Sequence, residues 1–95
     1  MAKATYVLLI NLTDKGKVNF KKSYTENRDR FKKAVEGAGG KLTGFVTAGP
    51  TDAVEILEMP DEDSALKILL GRLNVEEIKV TTLKAWPEDQ VRKAL

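Results

Sequence analysis

The chain of 95 residues contains neither cysteine nor histidine. This excludes zinc fingers, thiolate-held clusters, disulfides, Cys–His dyads and Ser–His–Asp triads, because each of them needs one of these side chains. A carboxylate site for Mg²⁺ or Ca²⁺ remains chemically open, but we expect no metal and no cofactor. A phosphate-binding loop is also absent, because Gly37, Gly39 and Gly40 stand at the end of a predicted helix, which they stop, and have neither GxGxxG nor Walker spacing.

Long apolar runs are missing as well. The longest, Tyr6 to Ile10, has five residues, whereas a helix needs about 20 to cross a membrane. Without disulfides or a secretory signal we expect a cytoplasmic protein with no membrane partner. The length fits a single domain over 1–95 with one modest core and a short tail helix at 87–95.

Charge is nearly balanced overall but unevenly distributed. Residues 1–48 carry ten Lys or Arg and four Asp or Glu, whereas residues 49–95 carry six and ten. A basic surface of this kind can attract nucleic acid, pair with an acidic surface or simply be a solvated helix face. We predict no nucleic-acid binding, because segment 53–59 has two glutamates and none of the aromatic rings that RNA-recognition modules stack on bases.

The order of apolar patterns indicates two strand–helix–strand units. Segment 5–12 is apolar at both alternating positions, which is typical of a strand covered on both faces. Asp61 is a suitable N-cap for the second helix, and we expect Asn74 to end it. The predicted elements are strands 5–12, 41–48, 53–59 and 76–86, helices 19–38, 61–73 and 87–95, and turns 13–16 and 49–52.

Each of the two main helices has an apolar stripe. We interpret both as core, since helical spacing alone explains them, although the first can alternatively line a ligand site. The stripes are Phe20, Tyr24, Phe31, Ala34, Val35 and Ala38 in the first helix, and Ala65, Leu66, Ile68, Leu69, Leu70 and Leu73 in the second.

The order β-α-β-β-α-β predicts the ferredoxin-like fold of the α+β class, a four-stranded antiparallel sheet with two helices on one face. Two helices leave the other face of the sheet uncovered, although it also carries Leu, Val and Thr side chains. The same face of a second copy is the simplest cover. We therefore expect a homodimer or higher homo-oligomer of the dimeric α/β-barrel type.

Several polar residues at strand ends are candidates for ligand binding. In the turn, Gly49, Thr51 and Asp52 can present a carboxylate and a hydroxyl to a small polar ligand, or can simply form the bend. Asn11 can orient a ligand or fix the turn after its strand. Glu55 and Glu58 point to opposite faces and therefore cannot form an acid–base pair.

Two further positions have the same double interpretation. Glu55 can face solvent, a basic partner such as Lys79, or the dimer cavity. Trp86 can wall a pocket or bridge the sheet and the tail helix. The candidate ligand-binding set is Asn11, Gly49, Thr51, Asp52, Glu55 and Trp86.

An ordered set of short motifs resembles the GYD domain family over about 5–94. The set begins with Thr5-Tyr6-Val7 and Asn11-Leu12-Thr13-Asp14-Lys15-Gly16, and continues with Gly39-Gly40-Lys41, Gly44-Phe45, Glu58-x-Pro60-Asp61 and Thr81-Thr82-Leu83-Lys84-Ala85. Strands 41–48 and 53–59 are predicted to form a hairpin around the turn 49–52. There, Gly49-x-Thr51-Asp52-Ala53-Val54 stands where the family typically has Gly-x-Tyr-Asp-Ala-Val, so Thr51 replaces the motif tyrosine. The resemblance implies the ferredoxin-like fold and the dimer, and no settled activity.

The functional hypothesis is a module that binds a small ligand or a partner in the cleft between sheet and helices, without its own catalysis. A cofactor-independent enzyme is the alternative, acting by proton transfer or oxygenation through Asp52, Glu55 or Asn11. A purely structural oligomerisation unit is the third possibility.

Overall fold

The computed structural model describes residues 3–73 and 75–95. Its four strands form one antiparallel sheet in the order β2-β3-β1-β4, which confirms the predicted ferredoxin-like α+β fold. The strands are β1 (Ala4–Leu12), β2 (Lys41–Val46), β3 (Ala53–Met59) and β4 (Ile78–Ala85). The helices are α1 (Asp14–Val18), α2 (Phe20–Lys22), α3 (Arg28–Gly37), α4 (Glu62–Arg72) and α5 (Glu88–Ala94), and a π-helical turn (Ser23–Asn27) joins α2 to α3.

The sheet has one covered and one uncovered face. The helix face carries Leu8 and Leu57, which are fully buried, whereas the opposite, open face carries Val7, Leu9 and Ile56, which are half-buried. Strand register produces this division, because residues two apart share a face. The buried apolar core on the helix face consists of Ala4, Leu8, Ile10, Phe31, Val35, Leu42, Leu57, Met59 and Ala65.

The predicted helix 19–38 is present as α2, the π turn and α3, which together we call the long helix. Its apolar stripe is divided. Phe31 and Val35 are buried, but Phe20 is 47% and Tyr24 43% exposed. A π turn adds a residue to one helical turn and so rotates the face that follows it. The prediction that the whole stripe is core was therefore wrong for Phe20 and Tyr24. It was also wrong for Ala34 and Ala38, which are exposed, so only Phe31 and Val35 of the stripe belong to the core.

A glycine ends the long helix. The Gly40 N–H donates to the Val35 carbonyl at 2.9 Å and the Gly39 N–H to the Glu36 carbonyl at 3.0 Å, which is the Schellman arrangement. Gly39 has φ +84, a left-handed conformation that favours glycine. This agrees with the predicted stop at these glycines.

Other local predictions need correction. The predicted turn 13–16 contains the start of α1, because the Thr13 hydroxyl accepts the Gly16 N–H at 3.2 Å and caps that helix. The strand predicted at 41–48 ends at Val46, and the predicted tight turn 49–52 belongs to a six-residue connection, 47–52. The predicted helix end at Asn74 lies outside the described residues.

The inner face of α4 also differs from the prediction. Ala65 is buried and Ile68 and Leu69 are half-buried, as expected for a core stripe. Arg72, however, is 6% exposed, so a cation takes the last inward position. The three leucines predicted to point inward but found exposed are Leu66, Leu70 and Leu73.

Two kinds of feature are absent from residues 3–73 and 75–95 of the fold. No helix there has both the length and the apolar character needed to cross a membrane. No group of three or more acidic side chains there is arranged to hold a metal ion.

The N-cap of α4 makes the stability of the protein depend on pH. The Ser64 N–H donates to the Asp61 carboxylate at 2.7 Å and holds the pKa of Asp61 below its ordinary value. Such a group stabilises the fold above its unfolded pKa of about 3.9, and this contribution is lost as pH falls through the lower folded pKa. Thermal melts should show Asp61→Ala less stable than wild type at pH 7, with the difference narrowing below about pH 4.

The control for this comparison is Asp63→Ala, which removes a carboxylate from the same first turn without removing the cap. We expect its difference from wild type to be smaller. A difference for Asp61→Ala that stays constant from pH 7 to pH 3 would contradict the assigned role of the cap.

Candidate functional site

A buried carboxylate lies between the sheet and the helices. Glu55 is on β3, where it pairs with Leu8 of β1 and Gly44 of β2. Because Leu8 is on the helix face, the register directs Glu55 to the same side, and only 4% of its side chain is exposed. The expectation that it faces solvent or Lys79 was therefore wrong, because its ionic partners are Arg28 and Arg72. Glu58 is on the open face, so the prediction that the two glutamates point to opposite faces agrees with the structure.

Two arginines reach the Glu55 carboxylate from different helices. Arg72, at the end of α4, donates from Nη2 to Glu55 Oε1 at 2.5 Å. Arg28, at the start of α3, has its Nε 3.9 Å from Glu55 Oε2. We call Arg28, Glu55 and Arg72 the charged cluster. It contains two positive charges and one negative charge.

The environment of Arg72 is largely apolar. Its guanidinium carbon lies 3.9 Å from the centroid of the Phe31 ring, a cation–π contact. Its Nε is buried and finds no hydrogen-bond acceptor among residues 3–73 and 75–95. Arg72 therefore depends on Glu55 for compensation of its buried charge.

Arg28 occupies space that a side chain on β2 would otherwise fill. A Cβ added to Gly44 would come within 2.6 Å of Arg28 Nη2. Glycine at this strand position therefore lets the guanidinium lie against the backbone of the sheet. About 20% of the Arg28 side chain is exposed, compared with 6% for Arg72, so Arg28 is the more accessible of the two cations.

The charged cluster forms the floor of a cavity of about 60 Å³, which we call the cleft. Phe20 and Tyr24 form one wall, with ring centroids 5.8 Å apart. Their partial exposure follows from this position, because they face the cleft instead of the core. The other apolar residues that line the cleft are Ile10, Leu12, Phe45, Val46, Ala53 and Ile78.

Asp52 and Asn11 meet at the edge of the cleft. The Leu12 N–H donates to Asp52 Oδ2 at 2.8 Å, and the Asp52 N–H donates to the Ile10 carbonyl at 3.0 Å and to Asn11 Oδ1 at 3.2 Å. These bonds hold the hairpin to the end of β1. Asp52 lines the cleft, whereas Asn11 is not among the cleft residues and helps to hold Asp52 in place through its hydrogen bond.

The remaining sequence candidates lie elsewhere. Gly49 and Thr51 are in the connection 47–52 and are not among the cleft residues. The Thr51 carbonyl accepts a hydrogen bond from the Thr47 hydroxyl at 2.5 Å. Thr51 therefore stabilises the connection 47–52 and does not face the cleft. Trp86 follows β4, whose last residue, Ala85, pairs with Thr5, so it lies at the opposite end of the sheet from Asn11.

Sequence reasoning did not find Arg28 and Arg72. Both fall at helical spacing within the stripes: Arg28 is four residues after Tyr24 and three before Phe31, and Arg72 is four after Ile68. Counting only apolar residues conceals a cation on an inward face. A charged residue inside an apolar stripe is the signal that identifies them.

Comparisons with known proteins give a family and a fold. The family model of the GYD domain matches residues 6–95. No curated protein matches the sequence significantly. The chain is similar to the crystal structure of an ethyl tert-butyl ether D (EthD) family protein from Bacillus halodurans C-125, with a TM-score of 0.52 and 10% identity, over 87% of this chain and 99% of that chain. At this identity the likeness concerns the fold alone.

The charged cluster predicts a large effect of removing its carboxylate. Glu55→Ala leaves Arg72 buried without its counter-ion, and breaking a buried pair from one side costs about 3–5 kcal/mol. Urea unfolding at one fixed protein concentration should show this loss in the free energy of unfolding. The control, Glu36→Ala on the exposed surface of α3, should change it by about 0.5 kcal/mol or less.

A double variant tests whether the loss comes from the unpaired charge. Glu55→Met combined with Arg72→Leu removes both buried charges, and we expect it to be more stable than Glu55→Ala. Equal losses for Glu55→Ala and Glu36→Ala would contradict the ion-pair assignment.

Proposed function

We propose, from the premise that this chain belongs to the GYD domain family, that it is a homodimeric module that binds a small organic molecule in the cleft without catalysis of its own. The observation that supports binding is the combination of a charged floor with half-exposed aromatic walls. Monomeric cores bury such rings, whereas ligand pockets typically present apolar walls and a few convergent polar groups.

The open face of the sheet supports the dimer. Val7, Leu9 and Ile56 are half-buried there, and Phe45 and Leu83 are 55% and 46% exposed. A contiguous apolar face of this kind is typical of an interaction surface. The same face of a second copy complements it in size and polarity, and burial of about 800 Å² per protomer would give a standard specific interface.

The contacts of the acidic and amide groups favour binding over catalysis. Glu55, which the enzyme hypothesis would use as a base, is 3% exposed and paired with Arg72. The Asp52 carboxylate accepts a backbone N–H, and the Asn11 side chain accepts the Asp52 N–H. These groups are therefore already engaged within the fold, which argues against a role in proton transfer.

The dimer is tested by a charge on the open face. Leu9→Glu places a carboxylate in the centre of the proposed interface, where an unpaired buried charge is strongly unfavourable. Analytical ultracentrifugation at micromolar concentration should show a dimer for wild type and a monomer for Leu9→Glu. The control Leu66→Glu makes the same change on the exposed surface of α4 and should remain dimeric.

Circular dichroism of both variants would verify that each is folded. A wild-type protein that sediments as a monomer with an intact fold would overturn the proposed dimer.

Ligand binding is tested by a thermal-shift screen of small organic acids, alcohols and amides. A compound at 100 times its Kd stabilises the folded state by about 2.7 kcal/mol, which is a shift of several degrees in a domain of this size. Tyr24→Ala should abolish the shift produced by a hit, because Tyr24 walls the cleft. Trp86→Ala should retain it, because Trp86 lies at the other end of the sheet.

Two results would contradict this proposal. If Trp86→Ala abolishes the shift and Tyr24→Ala does not, the ligand site is at the other end of the sheet. If no compound stabilises the protein, the small-ligand function fails, and a structural role in oligomerisation becomes the better interpretation.

A further inference from the structure

We infer that the ligand of the cleft is a small organic acid, a monoanionic carboxylate with an apolar body, whose charge is bound by Arg28. This inference rests on the proposed binding function and assigns its ligand class. Three features carry it: the charge of the floor, the free donors of Arg28 and the apolar wall.

The charged cluster has one uncompensated positive charge. Glu55 and Arg72 form a close pair, with 4% and 6% of their side chains exposed, which leaves the Arg28 charge 3.9 Å from a carboxylate that is already engaged. Asp52 also lines the cleft and forms no ion pair with either arginine within residues 3–73 and 75–95, but its negative charge makes the lining neutral overall. The attraction for a monoanion is therefore local to Arg28, whose charge no close carboxylate neutralises.

Arg28 has the geometry to hold a carboxylate. Within residues 3–73 and 75–95, no atom accepts a hydrogen bond from its side chain, so its fork of N–H donors is free for a ligand. Gly44 leaves room for the guanidinium against the sheet, since a Cβ there would lie 2.6 Å from Nη2. Arginine binds carboxylates through two parallel N–H···O bonds, and Arg28 is among the residues that line the cleft.

The size and polarity of the cleft restrict the rest of the ligand. Its volume of about 60 Å³ accommodates roughly four to six water molecules, which favours a small molecule over a nucleotide or a peptide. Phe20 and Tyr24 suit an apolar or aromatic body. A dianion such as a phosphate monoester would place a second negative charge near Glu55, so the charge balance favours a carboxylate.

The test compares two probes that share a ring and differ in charge, benzoate and benzyl alcohol. Each is titrated into the full chain at pH 7, and binding is followed by NMR chemical shifts of the backbone amides. Because hydrogen bonds to charged groups are among the strongest in proteins, benzoate should bind roughly 10- to 100-fold more tightly than benzyl alcohol. The shifts should map to the residues of the cleft.

Two variants and a control connect the binding to Arg28. Arg28→Gln should reduce benzoate affinity to that of benzyl alcohol. Arg30→Gln, an equal change at an exposed position of the same helix, should leave it unchanged. Gly44→Ala retains every charge but displaces the guanidinium. It should weaken benzoate binding without loss of thermal stability, because alanine is preferred to glycine within a strand.

The outcomes separate the ligand class from the binding function. Equal affinity for benzoate and benzyl alcohol, or benzoate binding unchanged in Arg28→Gln, overturns the carboxylate assignment while binding in the cleft stands. Inorganic phosphate binding as tightly as benzoate overturns the role of the apolar wall. Neutral hits in the thermal-shift screen with no response to benzoate also overturn the assignment, whereas the absence of any hit removes the binding function itself.

Discussion

A single buried carboxylate organises the space between the sheet and the helices of this protein. Glu55 on β3 is reached by Arg72 from the end of α4 and by Arg28 from the start of α3. It therefore connects the central part of the sheet to both α3 and α4. Because two charges of one sign and one of the other meet there, the cluster secures the ends of two helices and leaves a cation beside the cleft.

The apolar core and the cleft lie side by side along the long helix. Phe31 and Val35 pack on the sheet beyond the π turn, whereas Phe20 and Tyr24 before it stay half-exposed and wall the cleft. The inward residues of the long helix therefore line the cleft before the π turn and pack in the core after it. π turns in α-helices are frequently found at functional sites, and here the turn lies at the boundary between packing and the candidate site.

The two arginines of the charged cluster have different roles, one in stability and the other in ligand binding. Arg72 is committed to Glu55 and Phe31, so its role is to hold the fold and keep Glu55 ionically paired. Arg28 is more exposed and touches Glu55 only at 3.9 Å, so its remaining donors are available. This division explains how a small domain with one core can have a polar site inside it.

The amino-acid sequence by itself determined the order of strands and helices and the ferredoxin-like fold, because strand alternation, glycine stops and the Asp61 cap are local signals. The resemblance of its ordered motifs also indicated the GYD family, which the family model shows. It also placed Asp52 and Asn11 at strand ends. Only the tertiary structure brought Arg28, Glu55 and Arg72 together, since they come from three elements up to 44 positions apart in the chain. An apolar stripe predicts which way a helix faces, but the partner of a charge on that stripe depends on strand register and helix packing.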